Sequence, residues 1–258
     1  MIIDTHAHID MLNDPKKAIE EAFEAGVKKI IIPSSEPEAF EKVLSLAHEY
    51  ENVYAQMGVH PSEAQKFNDD VAKKIMELSK DKKVVAIGEI GLDYYWDKTF
   101  VDVQKKVFKT QIEIANILNL PVVIHDREAH GDTFEILEQM GAKSVLMHCF
   151  SGSKEFAKRC IEKGWFIALG GVVTFKNAKK VREVAKETPL EYIMLETDTT
   201  YLTPHPYRGE ENAPKYINFV AKEIANLKDT SVSLVEKITT QNALKFFNIK
   251  ENDDEPTV

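Results

Sequence analysis

The chain has 258 residues, of which 43% are hydrophobic and 29% are charged, which is the balance of a soluble globular protein. Its net charge of −9 provides no overall positive field for holding nucleic acid, so any phosphate-bearing ligand must be held locally. Two cysteines in a chain of this length favour a reducing compartment, and neither a secretory signal nor a membrane-spanning run is found. We therefore expect a cytoplasmic protein with no membrane segment.

Short apolar runs alternate with longer amphipathic segments. The runs are continuous and β-branched, as in Ile30-Ile31-Ile32 and Val122-Val123-Ile124, which is typical of parallel strands buried on both faces. The predicted strands are residues 1–6, 27–33, 52–59, 84–89, 121–125, 144–148, 165–169 and 192–196.

Helices are predicted between these strands. Asp14-Pro15 suits a helix start, and Gly26, Gly141 and Gly164 suit helix ends because glycine tolerates the left-handed conformation found there. The predicted helices are residues 15–25, 36–49, 62–80, 100–119, 132–140, 153–163, 177–187, 214–227 and 231–247. Residues 251–258 form an acidic tail that we expect to be frayed.

Eight strands alternating with helices predict a single α/β domain over residues 1–250, a (β/α)8 TIM barrel. A doubly wound parallel sheet is the alternative. That fold usually carries a glycine-rich phosphate loop after its first strand, where this chain has His6 and His8.

Candidate metal ligands follow the predicted strands, whose carboxyl ends meet on one face of a barrel, where barrel active sites lie. His6 and His8 follow the first strand and, being two residues apart, should project from one face of it. Further candidates follow strands three, four, five, six and eight: His60, Glu89, His125, His148 and Asp198.

These residues indicate metal binding because of their number. Singly, His125 and His148 would more often be hydrogen-bonded core histidines, and Asp198 could cap a turn. His60 could simply shape a loop, but the other four imidazoles with two carboxylates exceed the needs of one tetrahedral ion and suit two ions that share a carboxylate, for which Glu89 is placed on a middle strand. The mixed nitrogen and oxygen set favours Zn, Mn, Fe or Ni over Ca.

Several motifs resemble the TatD family of metal-dependent deoxyribonucleases, in order and over nearly the whole chain. They are His6-Ala7-His8, Gly58-Val59-His60-Pro61, Gly88-Glu89-Ile90-Gly91-Leu92-Asp93-Tyr94-Tyr95, Pro121-Val122-Val123-Ile124-His125, His148-Cys149-Phe150-Ser151-Gly152, Glu196-Thr197-Asp198, Tyr201-Leu202-Thr203-Pro204 with Arg208-Gly209, and Thr239-Thr240-Gln241-Asn242-Ala243.

The resemblance implies a barrel of the metallo-dependent hydrolase (amidohydrolase) type. It implies two divalent ions per chain (Zn, Mn, Mg, Ni or Fe), with metal positions at His6, His8, Glu89, His125, His148 and Asp198 and with His60 on the substrate side. The implied activity is a DNA phosphodiesterase, a 3′-5′ exonuclease-like enzyme that favours single strands or 3′ ends. We expect no organic cofactor, and the oligomeric state stays open, with a monomer plausible.

In this mechanism, Glu89 bridges the ions while Asp198 orients the attacking water and takes its proton. Candidate substrate contacts are His60, Tyr94, Arg127 and Arg208, and the aromatic residues Tyr94, Tyr95, Trp96 and Phe150 are candidates for stacking on bases. The chain departs from the family pattern at Thr199-Thr200 and at Arg127-Glu128-Ala129, two loops that bear on substrate preference.

Two other readings stay open. The same scaffold serves hydrolases of amides, lactones or aminoacyl esters, such as an aminoacyl-tRNA deacylase. Many of those bridge their ions through a modified lysine, whereas this chain offers Glu89, which favours the nuclease. A non-catalytic metal-binding or nucleic-acid-binding module is the other reading, and the ligand-rich set argues against it.

Overall fold

A parallel sheet of eight strands lies at the centre of the protein, in a computed structural model that describes residues 1–96 and 98–251. Each strand pairs with the next one in the chain. The strands are β1 (Ile2–Asp4), β2 (Val27–Pro33), β3 (Val53–Met57), β4 (Val84–Asp93), β5 (Val122–Arg127), β6 (Val145–Met147), β7 (Phe166–Leu169) and β8 (Ile193–Leu195).

The last strand meets the first through hydrogen bonds just beyond β1. The backbone N–H of Thr5 donates to the carbonyl of Leu195 at 3.0 Å, and that of Asp198 donates to the carbonyl of His6 at 2.9 Å. The sheet is therefore a nearly closed barrel, which confirms the predicted (β/α)8 fold. A doubly wound sheet is excluded because its strand order would reverse, whereas here it follows the chain.

Helices follow the strands and cover the outside of the barrel. They are α1 (Pro15–Glu24), α2 (Phe40–Glu49), α3 (Asp69–Leu78), α4 (Val101–Leu118), α5 (His130–Gln139), α6 (Lys154–Glu162), α7 (Lys179–Glu187), α8 (Ile217–Lys228) and α9 (Val232–Phe246). No helix among the described residues is long and apolar enough to cross a membrane.

One predicted helix, residues 62–80, is wrong as a continuous element. The chain forms a 3₁₀ helix over Pro61–Lys66 and then α3. Asn68 causes the break, because its side-chain oxygen accepts hydrogen bonds from the backbone N–H groups of Asp70 and Val71 and so caps a new helix. Similarly, a 3₁₀ turn over Pro37–Ala39 precedes α2.

The interior of the barrel is filled at its amino-terminal end. Each strand contributes at least one side chain to a single apolar cluster, and α9 adds Ala243, Leu244 and Phe246, with Phe247 and Ile249 just beyond it. The strand residues of this cluster are Ile3, Ile31, Tyr54, Val85, Ala86, Val123, Leu146, Phe166, Ala168 and Met194. Because residues from all eight strands can meet only inside the barrel, α9 closes this end, and the carboxyl end is left for the site.

The division into a domain over 1–250 and a tail stays a prediction. Of the predicted tail, Glu251 is described and exposed, and residues 252–258 lie outside the described part of the chain.

Gly91 fixes the spacing of β4 and β5 beside the site. It pairs with His125 and has a φ of 148°, and a Cβ placed on it would lie 1.9 Å from the carbonyl oxygen of His125. We expect Gly91→Ala to lower the free energy of unfolding by about 3 kcal/mol or more, measured by urea denaturation. The control is Gly131→Ala in α5, where nothing lies within 4 Å of the added Cβ; equal stability of the two variants would contradict this account.

Candidate metal centre

His6 and His8 converge, although not as the sequence predicted. The expectation that both project from one face of the first strand is wrong, because β1 ends at Asp4. The residues lie in the following loop, where the N–H of Ala7 donates to Ile31 and the N–H of His8 donates to Thr199. These bonds bring the Nε2 atoms of the two imidazoles within 3.2 Å of each other.

Glu89 lies inside β4, which continues past the predicted end of the strand to Asp93. The pairing of β4 with β5 shifts between Ile87 and Ile90, so β4 holds one extra residue at this point. The Glu89 side chain is only 4% exposed, and it is surrounded by one histidine within β5 and by histidines in the loops after β1, β3 and β6.

The two oxygens of the Glu89 carboxylate face different imidazoles. Oε2 lies 3.4 Å from Nε2 of both His6 and His8. Oε1 lies 2.7 Å from Nδ1 of His125 and 2.8 Å from Nε2 of His148. Each oxygen of this carboxylate therefore lies beside ring nitrogens of two histidines.

The spacing of these atoms fits a metal ion. Nitrogen and oxygen ligands of a tetrahedral zinc ion lie roughly 3.3–3.5 Å from one another. Oε2 of Glu89 and Nε2 of His6 and His8 are separated by 3.2–3.4 Å. Two ligand groups, His6 with Glu89 and His148 and His6 with His8 and Asp198, each have their ligand atoms within 4.8 Å of one another.

Asp198 follows β8 and completes the group around His8. Its Oδ1 lies 3.8 Å from Nε2 of His8, and its φ of 52° is in the left-handed region, which Asp and Asn tolerate better than most residues. Thr197 before it donates its backbone N–H and its hydroxyl to the buried carboxyl group of Asp4. Asp4 also accepts the backbone N–H of His6, so one carboxyl group ties together the loops after β1 and β8.

His60 presents a hydrogen-bond donor to the site. Its Nδ1 accepts the backbone N–H of Ser62 at 3.1 Å, and burial lowers its pKa to about 3. A neutral imidazole has one N–H, so the proton is on Nε2, which lies 3.6 Å from Oε1 of Glu89. His60 also belongs to a third group of ligand atoms with Asp93 and His125, but with its hydrogen on Nε2 it presents a donor to the cavity rather than a lone pair for a metal ion.

Two carboxylates that sequence reasoning did not assign lie beside the imidazoles. Asp93 Oδ2 lies 2.9 Å from Nε2 of His125. Glu196 is fully buried, lies 3.5 Å from Nδ1 of His148 and accepts the backbone N–H of Cys149 at 2.6 Å. Such carboxylates orient metal-binding histidines. Both are in motifs quoted above, and their acidic character at strand ends was the available signal.

Burial and neighbouring charges shift the pKa values of the groups in the cluster. Burial lowers the pKa of His6 to about 4. Burial also opposes protonation of His125, but hydrogen bonds to Asp93 and Glu89 raise its pKa to about 9. Burial would raise the pKa of Glu89, yet the surrounding imidazoles hold it well below its usual value. The carboxylate is therefore ionised and depends on positive charge beside it.

A cavity of about 840 Å³ opens over the cluster. Its described lining includes His60 and Arg127 from the predicted substrate contacts. Tyr94 and Arg208 are not part of that lining: Tyr94 donates its hydroxyl to Asp132 at 2.6 Å, and Arg208 stacks on Phe175. Substrate contact by any of these four residues stays a prediction.

Comparison with known proteins identifies the family. The model of the family described as "TatD related DNase" matches residues 3–248. The chain belongs to the TatD family. It is 43% identical over 254 residues to YabD of Bacillus subtilis, an uncharacterized metal-dependent hydrolase, covering 96% of this chain and all of YabD.

Solved structures agree with this assignment. The TatD homologue YjjV from Escherichia coli K12 superposes with a TM-score of 0.92 at 32% identity, covering 96% of this chain and 98% of YjjV. A TatD family hydrolase from Entamoeba histolytica, 22% identical, shares the fold with a TM-score of 0.85, covering 96% and 98% of the two chains. This TatD protein is therefore a metal-dependent hydrolase.

The role of Glu196 can be tested through metal affinity. We expect Glu196→Ala to weaken zinc binding by about 10- to 100-fold, measured by competition with a chromogenic chelator, because His148 loses the group that orients it. Glu196→Gln keeps an acceptor for the N–H of Cys149 and should lose less. Glu211→Ala, at an exposed position, is the control, and wild-type affinity in Glu196→Ala would show that His148 is held by other contacts.

Proposed function

We propose that this TatD protein hydrolyses phosphodiester bonds in DNA with two divalent ions, acting as a 3′-5′ exonuclease on single strands or 3′ ends. The observation that carries the proposal is the divided carboxylate of Glu89, whose oxygens face separate pairs of imidazoles at the floor of a cavity. Two-metal sites of this kind suit displacement at phosphorus. The polarity of cleavage follows from the family resemblance alone.

In this proposal the ligands are divided between the two ions. His6, His8 and Asp198 would hold one together with Oε2 of Glu89, and His125 and His148 would hold the other with Oε1. Bound divalent ions supply Lewis acidity and make water nucleophilic at neutral pH. Their charge also offsets the substrate phosphate, which accounts for a DNA substrate on a protein with a net charge of −9.

Three side chains of the protein then accept a proton, donate a hydrogen bond and contact the phosphate backbone. Asp198, 17% exposed and open to the cavity, accepts the proton of the attacking water. His60 donates its Nε2 hydrogen to a phosphoryl oxygen, since its Nδ1 is committed to Ser62. Arg127 is the only lysine or arginine in the described cavity lining and is available to the phosphate backbone.

Hydrolysis of amides, lactones or aminoacyl esters is less well supported. Bridging by a modified lysine has no candidate here, because no lysine is found among the described lining residues. A panel assay decides between the classes: metal-stripped protein is restored with Mg, Mn, Zn or Ni and offered end-labelled single- and double-stranded DNA, RNA and aminoacyl-tRNA. We expect a shortening ladder on single-stranded DNA, and cleavage confined to aminoacyl-tRNA would overturn the proposal.

Metal content tests the bridging role of Glu89. Reconstituted wild-type protein should contain about two equivalents of divalent metal by elemental analysis. Glu89→Ala should contain one equivalent or fewer, because each of the two ions loses a ligand. Glu63→Gln, which alters a cavity carboxylate outside the cluster, should keep both ions. One equivalent in fully active wild-type protein would rule out the bridge.

Turnover tests the role of Asp198. Asp198→Asn keeps the size of the side chain and tolerates the same left-handed backbone, but it cannot accept a proton. At saturating metal, we expect folded protein with DNA turnover reduced by about 10²-fold or more. Circular dichroism and metal analysis serve as controls for folding and loading. Near-normal turnover would show that another group accepts the proton, and His60 would be the next candidate.

A further inference from the structure

Exposed aromatic side chains border the cavity beside β4 and β5. Trp96 is 71% exposed and Tyr95 is 50% exposed, and their rings meet edge to face at 4.9 Å. The two rings together form a contiguous exposed apolar patch, and such patches on soluble proteins often mark interaction sites. Trp96 lines the cavity directly, so it faces the space where substrate would lie.

Arg127 packs against both rings. Its guanidinium carbon lies 3.9 Å from the ring centroid of Tyr95 and 5.2 Å from that of Trp96. No carboxylate among the described residues pairs with it, so stacking holds the group in place and leaves its charge available to an anion. We call Tyr95, Trp96 and Arg127 the aromatic shelf.

The aromatic shelf is fixed to the metal centre by one side chain. Oδ1 of Asp93 accepts the backbone N–H groups of Tyr95 at 2.9 Å and Trp96 at 3.3 Å, while its Oδ2 contacts His125. Gln104 in turn hydrogen-bonds both backbone groups of Asp93. The shelf is thus held at a set position relative to a metal-binding imidazole.

A second apolar wall lies across the cavity. Met11, Tyr201 and Leu202 line it beside β1 and β8, which lie opposite β4 and β5 in an eight-stranded barrel. The remaining charged lining residues beyond the cluster are carboxylates, apart from Arg127. A ligand suited to this cavity combines a phosphate over the metal centre with a flat apolar group beside it and a further anion near Arg127.

We propose that the aromatic shelf is a nucleotide subsite in which Trp96 stacks on the base next to the hydrolysed phosphodiester and Arg127 contacts the following phosphate. This deepens the proposed function and rests on it. Stacking uses the face that every base presents, so the subsite accepts any sequence. It requires a base free of its own duplex stack, which restricts substrates to single strands and frayed ends.

Tryptophan fluorescence reports on this subsite directly. The chain has two tryptophans, and Trp165 is only 4% exposed, so a ligand at the shelf affects Trp96 alone. Metal-loaded Asp198→Asn protein is titrated with a short oligo-dT and with the same oligomer made of abasic residues. We expect oligo-dT to quench the emission and to bind about tenfold more tightly than the abasic oligomer.

Variants separate the parts of the shelf. In the same background, Trp96→Ala should weaken oligo-dT binding by about tenfold, measured by anisotropy of a labelled oligomer, and should abolish the preference over the abasic oligomer. Arg127→Met should weaken binding of both oligomers and lower the slope of log affinity against log salt concentration by about one. Ile117→Ala, an exposed apolar residue of α4 outside the cavity, is the control and should bind as the parent does.

The results distinguish this inference from the proposed function. Equal affinity for the two oligomers, no binding of either, or unchanged binding by Trp96→Ala overturns the shelf. If wild-type protein nevertheless cleaves oligo-dT, the proposed function survives that result. Quenching and base-dependent binding without cleavage by wild-type protein under any ion would support the shelf and overturn the phosphodiesterase.

Discussion

The buried carboxylate of Glu89 sets the conditions that the rest of the site must meet. An ionised group that is 4% exposed is expensive unless compensating charge lies beside it. The barrel provides this compensation by directing histidines from four other strand ends at the same two oxygens. The pKa values of His125 and His148 are raised, so these imidazoles supply positive charge beside the carboxylate, and bound divalent ions would supply it in their place. The stability of the fold and the chemistry of the centre therefore depend on the same contacts.

The fold could be predicted because its signals are local and repeated. Continuous β-branched runs such as Val122-Val123-Ile124 mark strands buried on both faces, and capping residues mark helix ends. The exceptions arise where a side chain competes with the backbone, as Asn68 does when it divides the helix predicted over 62–80. The early end of β1 is a second exception. The carboxyl group of Asp4, the last residue of β1, accepts the backbone N–H groups of His6 and Thr197.

The site was predictable in composition but less so in geometry. Residue type and position near strand ends were enough to predict the six ligand candidates, since the carboxyl ends of all barrel strands lie on one face. The partners of those ligands were harder to predict, because the acidic character of Asp93 and Glu196 at strand ends does not reveal which imidazole each one contacts. The proton position on His60 likewise depends on a local hydrogen bond from Ser62, which pattern alone does not reveal.

Asp93 contacts His125 with one carboxylate oxygen and the backbone N–H groups of Tyr95 and Trp96 with the other, so one side chain links two parts of the cavity wall. An ion bound at His125 would restrict Asp93, and with it the backbone that carries the aromatic rings. Such coupling is reciprocal, so a ligand held at the aromatic shelf would strengthen ion binding by the same factor. Each proposed occupant of the cavity would then favour retention of the other.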